Sequence, residues 1–259
     1  MKKIFSFALM CAAMLVSSQV YAGVNESEVM EETANVAKDG DKDFDITEEP
    51  LFGKAKGDNY FCMAKGLGLG LGFVGTLGTP DDMKTNMDRS IEVDWDIINL
   101  GYKFKGNNSV SLGLGLLWRN YRMTNDKCFW LDSNKEVKIA NYGAGTDGKF
   151  SRLHSFSLTL PVLYRHAWNS GWNVTAGAEM QISNLKSKYY SVKTRIDAGE
   201  IENTSVMRGV KFNPFTVNAI ACAAYKHVGL YVRYSPMDIL DNGYGPSFQS
   251  ISVGFRLIP

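Results

Sequence analysis

Long apolar runs and histidine are both scarce in this chain of 259 residues. After the N-terminal segment, no stretch approaches the ~20 apolar residues that a transmembrane helix needs, so we expect no helical membrane span. The three histidines, His154, His166 and His227, belong to no set with metal-ligand spacing. We therefore predict no metal, no cofactor and no catalytic residue.

Cysteine is also rare, and its positions argue against disulfides. Of four cysteines, Cys11 lies in the N-terminal apolar segment. The remaining three are an odd number, so at least one of them is a free thiol. The topology predicted below puts Cys62 near one end of a barrel, Cys128 in an outer loop and Cys222 within a strand. These positions are too far apart for a sulfur–sulfur bond, so we expect no disulfide.

The first 22 residues have the pattern of a secretion signal. A positive start at Met1-Lys2-Lys3 precedes a short apolar segment, and the small-residue site Val20-Tyr21-Ala22 follows. This pattern predicts a cleaved signal peptide over 1–22. An exported chain without a helical span is either soluble or crosses a membrane as a closed β-barrel, because in lipid only helices and closed barrels satisfy every backbone hydrogen bond.

An acidic segment follows the predicted signal. Between Asn25 and Pro50 the chain has ten acidic residues and two lysines. Low hydrophobicity combined with high charge is typical of disorder. We predict a largely disordered periplasmic leader over 23–58.

The rest of the chain is dominated by strict alternation of apolar and small or polar residues. The clearest segments are Leu67–Phe73, Val110–Leu116, Phe156–Leu160 and Ile251–Phe255. Alternation has the period of a β-strand with one apolar face. A soluble β-sandwich shows the same period, so the spacing of the turns has to distinguish the two classes.

Eight segments are predicted as strands: 61–74, 91–104, 110–123, 153–165, 172–183, 215–225, 228–235 and 248–258. Short connections alternate with long ones: 105–109, 166–171 and 226–227 are short, and 75–90, 124–152, 184–214 and 236–247 are long. Short periplasmic turns that alternate with long outer loops are typical of bacterial outer-membrane barrels. The pattern predicts an all-β, antiparallel, eight-stranded, up-and-down transmembrane β-barrel over 59–259, with short periplasmic turns and long extracellular loops.

Several segments of this barrel region resemble a known family. Leu158–Arg165, with the run Leu-Thr-Leu-Pro-Val-Leu-Tyr-Arg, resembles the L-x-I-P-L-L-x-x-Y strand of small outer-membrane β-barrel proteins of Bacteroidetes-type bacteria. Trp172–Ala178 is similar to the next strand of that family, and Val228–Pro236 with Ser250–Phe255 resembles its last hairpin. The resemblance implies an eight-stranded barrel of the OmpA/OmpX or PorT-like kind without catalytic residues.

The strand alternation also predicts which charged side chains face the barrel interior. An eight-stranded barrel is just wide enough inside for side chains to fill it, and an unpaired buried charge is costly. We predict a structural charge network in the lumen, and an ion path is the alternative. The inward-facing members are Arg119, Arg165, Glu179, Arg233 and Arg256.

The predicted strand 91–104 does not keep one alternation throughout. Its apolar set changes phase between Ile97 and Ile98. Two explanations stay open: a β-bulge lies at this point, or the acidic residues that precede it lie above the membrane. Those residues are Glu92, Asp94 and Asp96.

Any specific contact is expected on the long outer loops. In loop 124–152, Phe129 and Trp130 either pack at the outer membrane interface or form a ligand-contacting tip. Basic residues in loop 184–214 suit the anionic lipopolysaccharide of the outer leaflet. His154 lies beside Ser151 and Ser155, and some lipid-modifying outer-membrane barrels use a histidine–serine pair in catalysis. A surface histidine that merely lies near serines is far commoner than such a catalytic pair.

These observations lead to a functional hypothesis. We expect a non-enzymatic protein of the cell outer membrane with a structural or surface-interaction role. The alternative is a narrow pore for ions or small solutes, and less favoured are a lipid-modifying enzyme and a soluble lipocalin-like binder. Expected partners are outer-membrane lipid and lipopolysaccharide, the barrel-assembly machinery during insertion, and an unknown extracellular ligand. We expect a monomer and no nucleic-acid partner.

Overall fold

A computed structural model describes residues 49–50, 60–63, 68–80, 83, 85–104, 107–124, 127–141, 146–183, 189–196 and 201–258. The predicted signal peptide, 1–22, lies outside the described residues, as does the predicted leader, 23–58, apart from Glu49 and Pro50. Within the described ranges the chain is all-β, and its one helical turn is a 3-10 turn at Met87–Arg89. No described helix has the length and the apolar character needed to span a membrane.

The strands are numbered in chain order. They are β1 (Glu49–Pro50), β2 (Tyr60–Met63), β3 (Gly68–Leu77), β4 (Ile91–Phe104), β5 (Asn108–Arg122), β6 (Lys127–Leu131), β7 (Val137–Asn141), β8 (Thr146–Ala167), β9 (Trp172–Ser183), β10 (Tyr189–Ile196), β11 (Ile201–Arg208), β12 (Phe215–Tyr225), β13 (Val228–Ser235) and β14 (Gln249–Leu257).

Eight of these strands close into an antiparallel barrel. In the order β3, β4, β5, β8, β9, β12, β13 and β14, each strand pairs with the next one. The last strand then pairs with the first, with Val253 opposite Phe73. The predicted eight-stranded, antiparallel β-barrel is therefore confirmed.

The barrel strands follow the predicted segments closely, except for the first and the fourth. The first predicted strand, 61–74, corresponds to two strands, β2 and β3, which both pair with β4. The fourth, predicted as 153–165, is much longer, since β8 covers Thr146–Ala167. Beyond the end of β9, β8 continues and pairs with β10, which in turn pairs with β11.

The predicted outer loops are thus partly built of strands. Loop 184–214 contains the β10–β11 hairpin, and loop 124–152 contains the β6–β7 hairpin as well as the start of β8. The physical reason is the length of β8. Its N–H and C=O groups above the barrel need partners, and β10 supplies them.

The connections separate by length between the two ends of the barrel. The three short ones join β4 to β5, β8 to β9 and β12 to β13, and each includes a residue with positive φ: Asn107 (62°), Gly171 (88°) and Lys226 (55°). A left-handed residue lets two antiparallel strands reverse within a few residues. We call this the short-turn end, and the opposite end, where the long connections lie, the long-connection end.

Along each barrel strand, buried and exposed residues alternate. In β12 the inward side chains of Thr216, Asn218 and Ile220 are buried, whereas their neighbours are exposed. The inward face of the barrel is mainly polar and charged, and the outward face is mainly apolar. This arrangement is the reverse of a soluble globular fold, in which apolar side chains are mostly inside.

Candidate functional site

The middle of the lumen is occupied by buried charges, and Glu92 on β4 is at their centre. Its carboxylate accepts hydrogen bonds from Arg119 Nε (2.5 Å), Tyr231 Oη (2.9 Å) and Ser252 Oγ (2.6 Å), and it also pairs with Nη1 of Arg233. Both guanidinium groups and the carboxylate are fully buried. One carboxylate on β4 therefore binds side chains from three other strands, β5, β13 and β14.

Arg233 and Arg256 extend the network toward the short-turn end. Nη2 of Arg233 donates to Oδ2 of Asp94 (2.7 Å) and to Oε2 of Glu179 (3.2 Å). Arg256 donates from Nη2 to Oδ2 of Asp96 (2.5 Å), and its Nη1 lies 3.4 Å from Oδ2 of Asp94. We call these residues, with Glu92 and Arg119, the lumen network.

Neutral polar side chains complete the layer around these charges. Asn218 Nδ2 donates to Oε1 of Glu179 (2.9 Å) and to Oε1 of Gln181 (3.0 Å). Nη1 of Arg119 donates to Ser235 Oγ (3.1 Å). Buried charges are tolerated only when partners and hydrogen bonds compensate for the lost hydration, and here the partners come from all around the barrel.

The structure brings four of the five predicted inward charges into this network: Arg119, Glu179, Arg233 and Arg256. Arg165, the fifth, lies closer to the short-turn end and lines a separate cavity there. The residues that sequence reasoning did not assign are the acidic partners on β4. The available signal was the spacing of Glu92, Asp94 and Asp96, two residues apart with apolar residues between them.

A β-bulge decides between the two explanations that the sequence left open for β4. The pairing with β5 shifts between Asp96 and Ile98, so Ile97 and Ile98 are both exposed, at 41% and 43%. Before the bulge, Glu92, Asp94 and Asp96 share the buried, inward face. The extra residue thus keeps both isoleucines outside while the acidic residues enter the lumen.

Glycines on β3 make room for the acidic side chains of the facing strand. A Cβ atom on Gly70 would overlap Oδ1 of Asp94, and one on Gly68 would overlap Oδ2 of Asp96. Both glycines are paired in register with these residues, Gly68 with Asp96 and Gly70 with Asp94. The Gly-Leu-Gly-Leu-Gly alternation therefore has a packing role in this strand.

An apolar cluster, which we call the cap, lies over the lumen at the long-connection end. It joins inward residues of the barrel strands to the β6–β7 hairpin and to the connections around 210 and 240. The hairpin is tied to the connection before β14 because Val137 N donates to Tyr244 O (2.9 Å). Its buried members are Val74, Met83, Tyr121, Met123, Phe129, Val137, Leu153, Val210, Phe212, Ile239, Leu240 and Phe248.

Of the two aromatic residues predicted to make an outer contact, Phe129 and Trp130, only Phe129 belongs to the cap. Phe129 is buried in the cap, and its backbone N–H donates to Ser151 Oγ (2.9 Å). Trp130, the next residue on β6, points the other way and is 41% exposed. Within this pair, only Trp130 is exposed to a partner.

The histidine near serines is held in a different arrangement from a catalytic pair. Trp118 Nε1 donates to Nδ1 of His154 (2.6 Å), and Oδ1 of Asn120 lies 2.9 Å from the same nitrogen. Ser151 and Ser155 are an odd number of residues away on β8, so they lie on the opposite, lumen-facing side of the strand. Trp118 and Asn120 on β5 thus help to position the His154 ring.

The described cysteines and acidic residues do not assemble a metal or redox centre. Cys62, Cys128 and Cys222 form no disulfide with one another, although Cys62 and Cys222 line the same cavity. In the part of the chain that the structure describes, no group of three or more His, Cys, Asp and Glu residues could hold a metal ion.

Comparison with protein-family models and with curated proteins finds no match for this chain.

Proposed function

We propose that this protein is a non-enzymatic outer-membrane β-barrel with a structural or surface-interaction role. The observation that carries the proposal is a continuous belt of large apolar side chains on the outside of the closed barrel. Every barrel strand contributes, with exposed fractions between 42% and 66% for Phe73, Trp95, Leu112, Val162, Val174, Val217, Leu230 and Phe255. Soluble monomers rarely expose an apolar surface of this extent.

The belt has the height that a membrane requires. Aromatic residues border it at the short-turn end, where the rings of Trp172 and Tyr225 are 5.4 Å apart, and again near the long-connection end, at Phe156 and Phe215. On β8 the two borders are Phe156 and Tyr164, eight residues apart, and on β12 they are Phe215 and Tyr225, ten residues apart. At a rise of about 3.3 Å per residue and a tilt of about 40°, they span roughly 20–25 Å, which matches the apolar band of outer-membrane barrels.

The contents of the lumen favour a scaffold over a pore. The lumen network fills the middle of the barrel, and the cap covers the long-connection end. Charged pairs and apolar side chains thus stand across the lumen at two levels. The barrel therefore serves best as a rigid support for the hairpins β6–β7 and β10–β11, with the short-turn end in the periplasm.

Lipopolysaccharide is the proposed lipid partner at the outer rim. Arg122 on β5 and Arg152 on β8 are directly opposite each other on the outward face, two rows beyond Trp118 and Phe156. Two guanidinium groups at this height suit the phosphate groups of an anionic outer leaflet. We expect the double variant Arg122→Gln/Arg152→Gln to retain less lipopolysaccharide on purification than Arg89→Gln, whose arginine is not part of this pair; equal retention would count against this partner.

Fractionation and heat-modifiability of the full precursor test the membrane assignment. We expect the protein in the outer-membrane fraction, with a band that changes mobility on an SDS gel after boiling. Leu230→Arg places a charge on the belt and should reduce the heat-modifiable band, whereas Leu230→Phe keeps the belt apolar and should not. If the protein were found in the soluble periplasmic fraction and its band did not shift on boiling, the proposal would be wrong, and a soluble, lipocalin-like barrel would take its place.

A further inference from the structure

A cavity of about 70 Å³ lies in the lumen at the short-turn end, between the lumen network and the turns. Its wall is polar on one side, where Ser109, Ser111, Arg165 and Thr175 meet. A cavity needs only about 10–15 Å³ of this kind of volume to hold one water, so this one has room for several waters or for a small ion. It borders the lumen network, since Asp96 and Arg256 also line it.

Arg165 is the charged residue of this wall that the network does not use. Within the described part of the chain, no hydrogen bond or ion pair engages its guanidinium, and its Nε is buried without a hydrogen-bond partner. In the sheet, Arg165 is directly opposite Ser109 on β5 and Thr175 on β9. One cation is therefore flanked on both sides by hydroxyl donors that face the same space.

The carboxylates near the cavity are engaged by another arginine. Asp96 also lines the wall, but its Oδ2 accepts a hydrogen bond from Arg256 Nη2 (2.5 Å), and Arg256 lies within 3.4 Å of Asp94 as well. Arg256 thus compensates the nearest negative charges. The guanidinium of Arg165 retains donors that no protein acceptor fills.

We propose that this cavity binds a small inorganic anion, of the size of chloride or nitrate, through Arg165 and the hydroxyl groups of Ser109 and Thr175. A planar guanidinium presents several donors in a fixed geometry, and hydrogen bonds from a charged donor to an anion are among the strongest in proteins. This inference goes beyond the proposed function, since it concerns the lumen and not the loops.

Chloride binding to the refolded full-length protein in detergent tests the site directly. The line width of the ³⁵Cl NMR signal should increase in the presence of the wild-type protein and return toward the buffer value as nitrate is added. Arg165→Gln should weaken chloride binding about tenfold, because it removes a charge-assisted interaction. Lys226→Gln removes a positive charge from the same end of the barrel but outside the cavity, and it should leave the broadening unchanged.

A second variant keeps the proposal falsifiable if Arg165→Gln does not fold. Ser109→Ala/Thr175→Val removes both hydroxyls but keeps the charge, and it should weaken chloride binding while the heat-modifiable band is retained. Equal line broadening for the wild type, for both cavity variants and for detergent alone would overturn the site. Failure of the fractionation experiment would instead affect only the membrane assignment, so the two proposals fail separately.

Discussion

At the scale of single residues, the lumen depends on one carboxylate more than on any other group. Glu92 accepts hydrogen bonds from two buried arginines, a tyrosine and a serine. Its partners are distant in sequence, with 27 residues to Arg119 and 141 to Arg233. Replacement of Glu92 therefore removes the carboxylate that pairs with Arg119 and one of the three carboxylates that pair with Arg233.

Glu92→Gln is predicted to lower the free energy of unfolding by about 3–5 kcal/mol, the typical result of breaking a buried ion pair by removing one partner. The measurement is the urea midpoint of the refolded barrel in lipid vesicles, followed by tryptophan fluorescence. Glu136→Gln is the matched control, because the Glu136 side chain is partly exposed and its carboxylate lies 3.6 Å from Nζ of the exposed Lys138. We expect the control to stay within about 0.5 kcal/mol of the wild type; equal midpoints for both variants would contradict a stabilising role of the network.

At the scale of elements, the bulge in β4 sets which side chains face outward, into the apolar belt. Strict alternation from Asp96 would place Ile98 inside, but the register shift turns it outward beside Ile97. Both isoleucines lie near the middle of the strand. A charge at either position is therefore expected in the apolar belt.

Ile98→Arg is predicted to destabilise the barrel by about 2–4 kcal/mol, as for a charge on the lipid face near the midplane. Ile97→Arg should have a similar effect, while Ile98→Leu should leave stability nearly unchanged. Urea midpoints in vesicles, together with the heat-modifiable band, provide the measurement. If Ile98→Arg folded like Ile98→Leu, the position would face the lumen and the bulge would be wrong.

The turn of the β6–β7 hairpin provides a pH-dependent element. The N–H of Glu136 donates to Oδ1 of Asp132 (3.0 Å), as does the N–H of Asn134 (2.8 Å), and Lys138 Nζ lies 3.1 Å from Oδ2. The Glu136 hydrogen bond is the main reason that the pKa of Asp132 lies below its ordinary value of 3.8. These contacts all favour the charged carboxylate.

Because its pKa is lowered by folding, Asp132 stabilises the hairpin fully above pH 3.8, and this contribution is lost as the pH falls from there through the lowered value. We predict that amide hydrogen exchange in β6 and β7, corrected for its intrinsic pH dependence, accelerates over this interval. Asp132→Asn should show faster exchange at neutral pH and no further acceleration in acid. Identical profiles for the two proteins would show that Asp132 does not support the turn.

At the scale of the whole molecule, the barrel is closed in two senses. Its strands leave no free edge around the circumference, since β14 pairs with β3. Its lumen is filled by the network in the middle and by the cap at the long-connection end. Closure of the sheet and filling of the lumen both favour a rigid body that carries hairpins.

Planar lipid bilayers test this closed state. We predict no steady openings above the lipid background for the refolded wild-type protein, because charged pairs and apolar side chains occupy the path. Heat-denatured protein at the same detergent concentration is the control. Reproducible openings of constant amplitude, absent from the control, would favour the narrow pore over the scaffold.

Much of the fold could be predicted from local pattern, but the site could be predicted only in part. The alternation in β5 and β12 identifies the faces of these strands because side chains alternate strictly between the two sides of a sheet. The same reasoning fails at Ile97 and Ile98, where one inserted residue changes the phase. The same reasoning also places the start of β8 near 153 instead of at Thr146, because the pairing of its first residues with β10 has no local signal.

By itself, the sequence determined the antiparallel eight-stranded barrel, the positions of its short turns and the inward side of most charged residues. Each of these follows from a period of two residues or from the length of a connection, which neighbouring residues specify. Only the tertiary structure decided that Glu92 joins Arg119 and Arg233, that Phe129 is buried in the cap while Trp130 is exposed, and that Arg165 faces a cavity. Such contacts depend on closure of the barrel, which brings together residues more than a hundred positions apart.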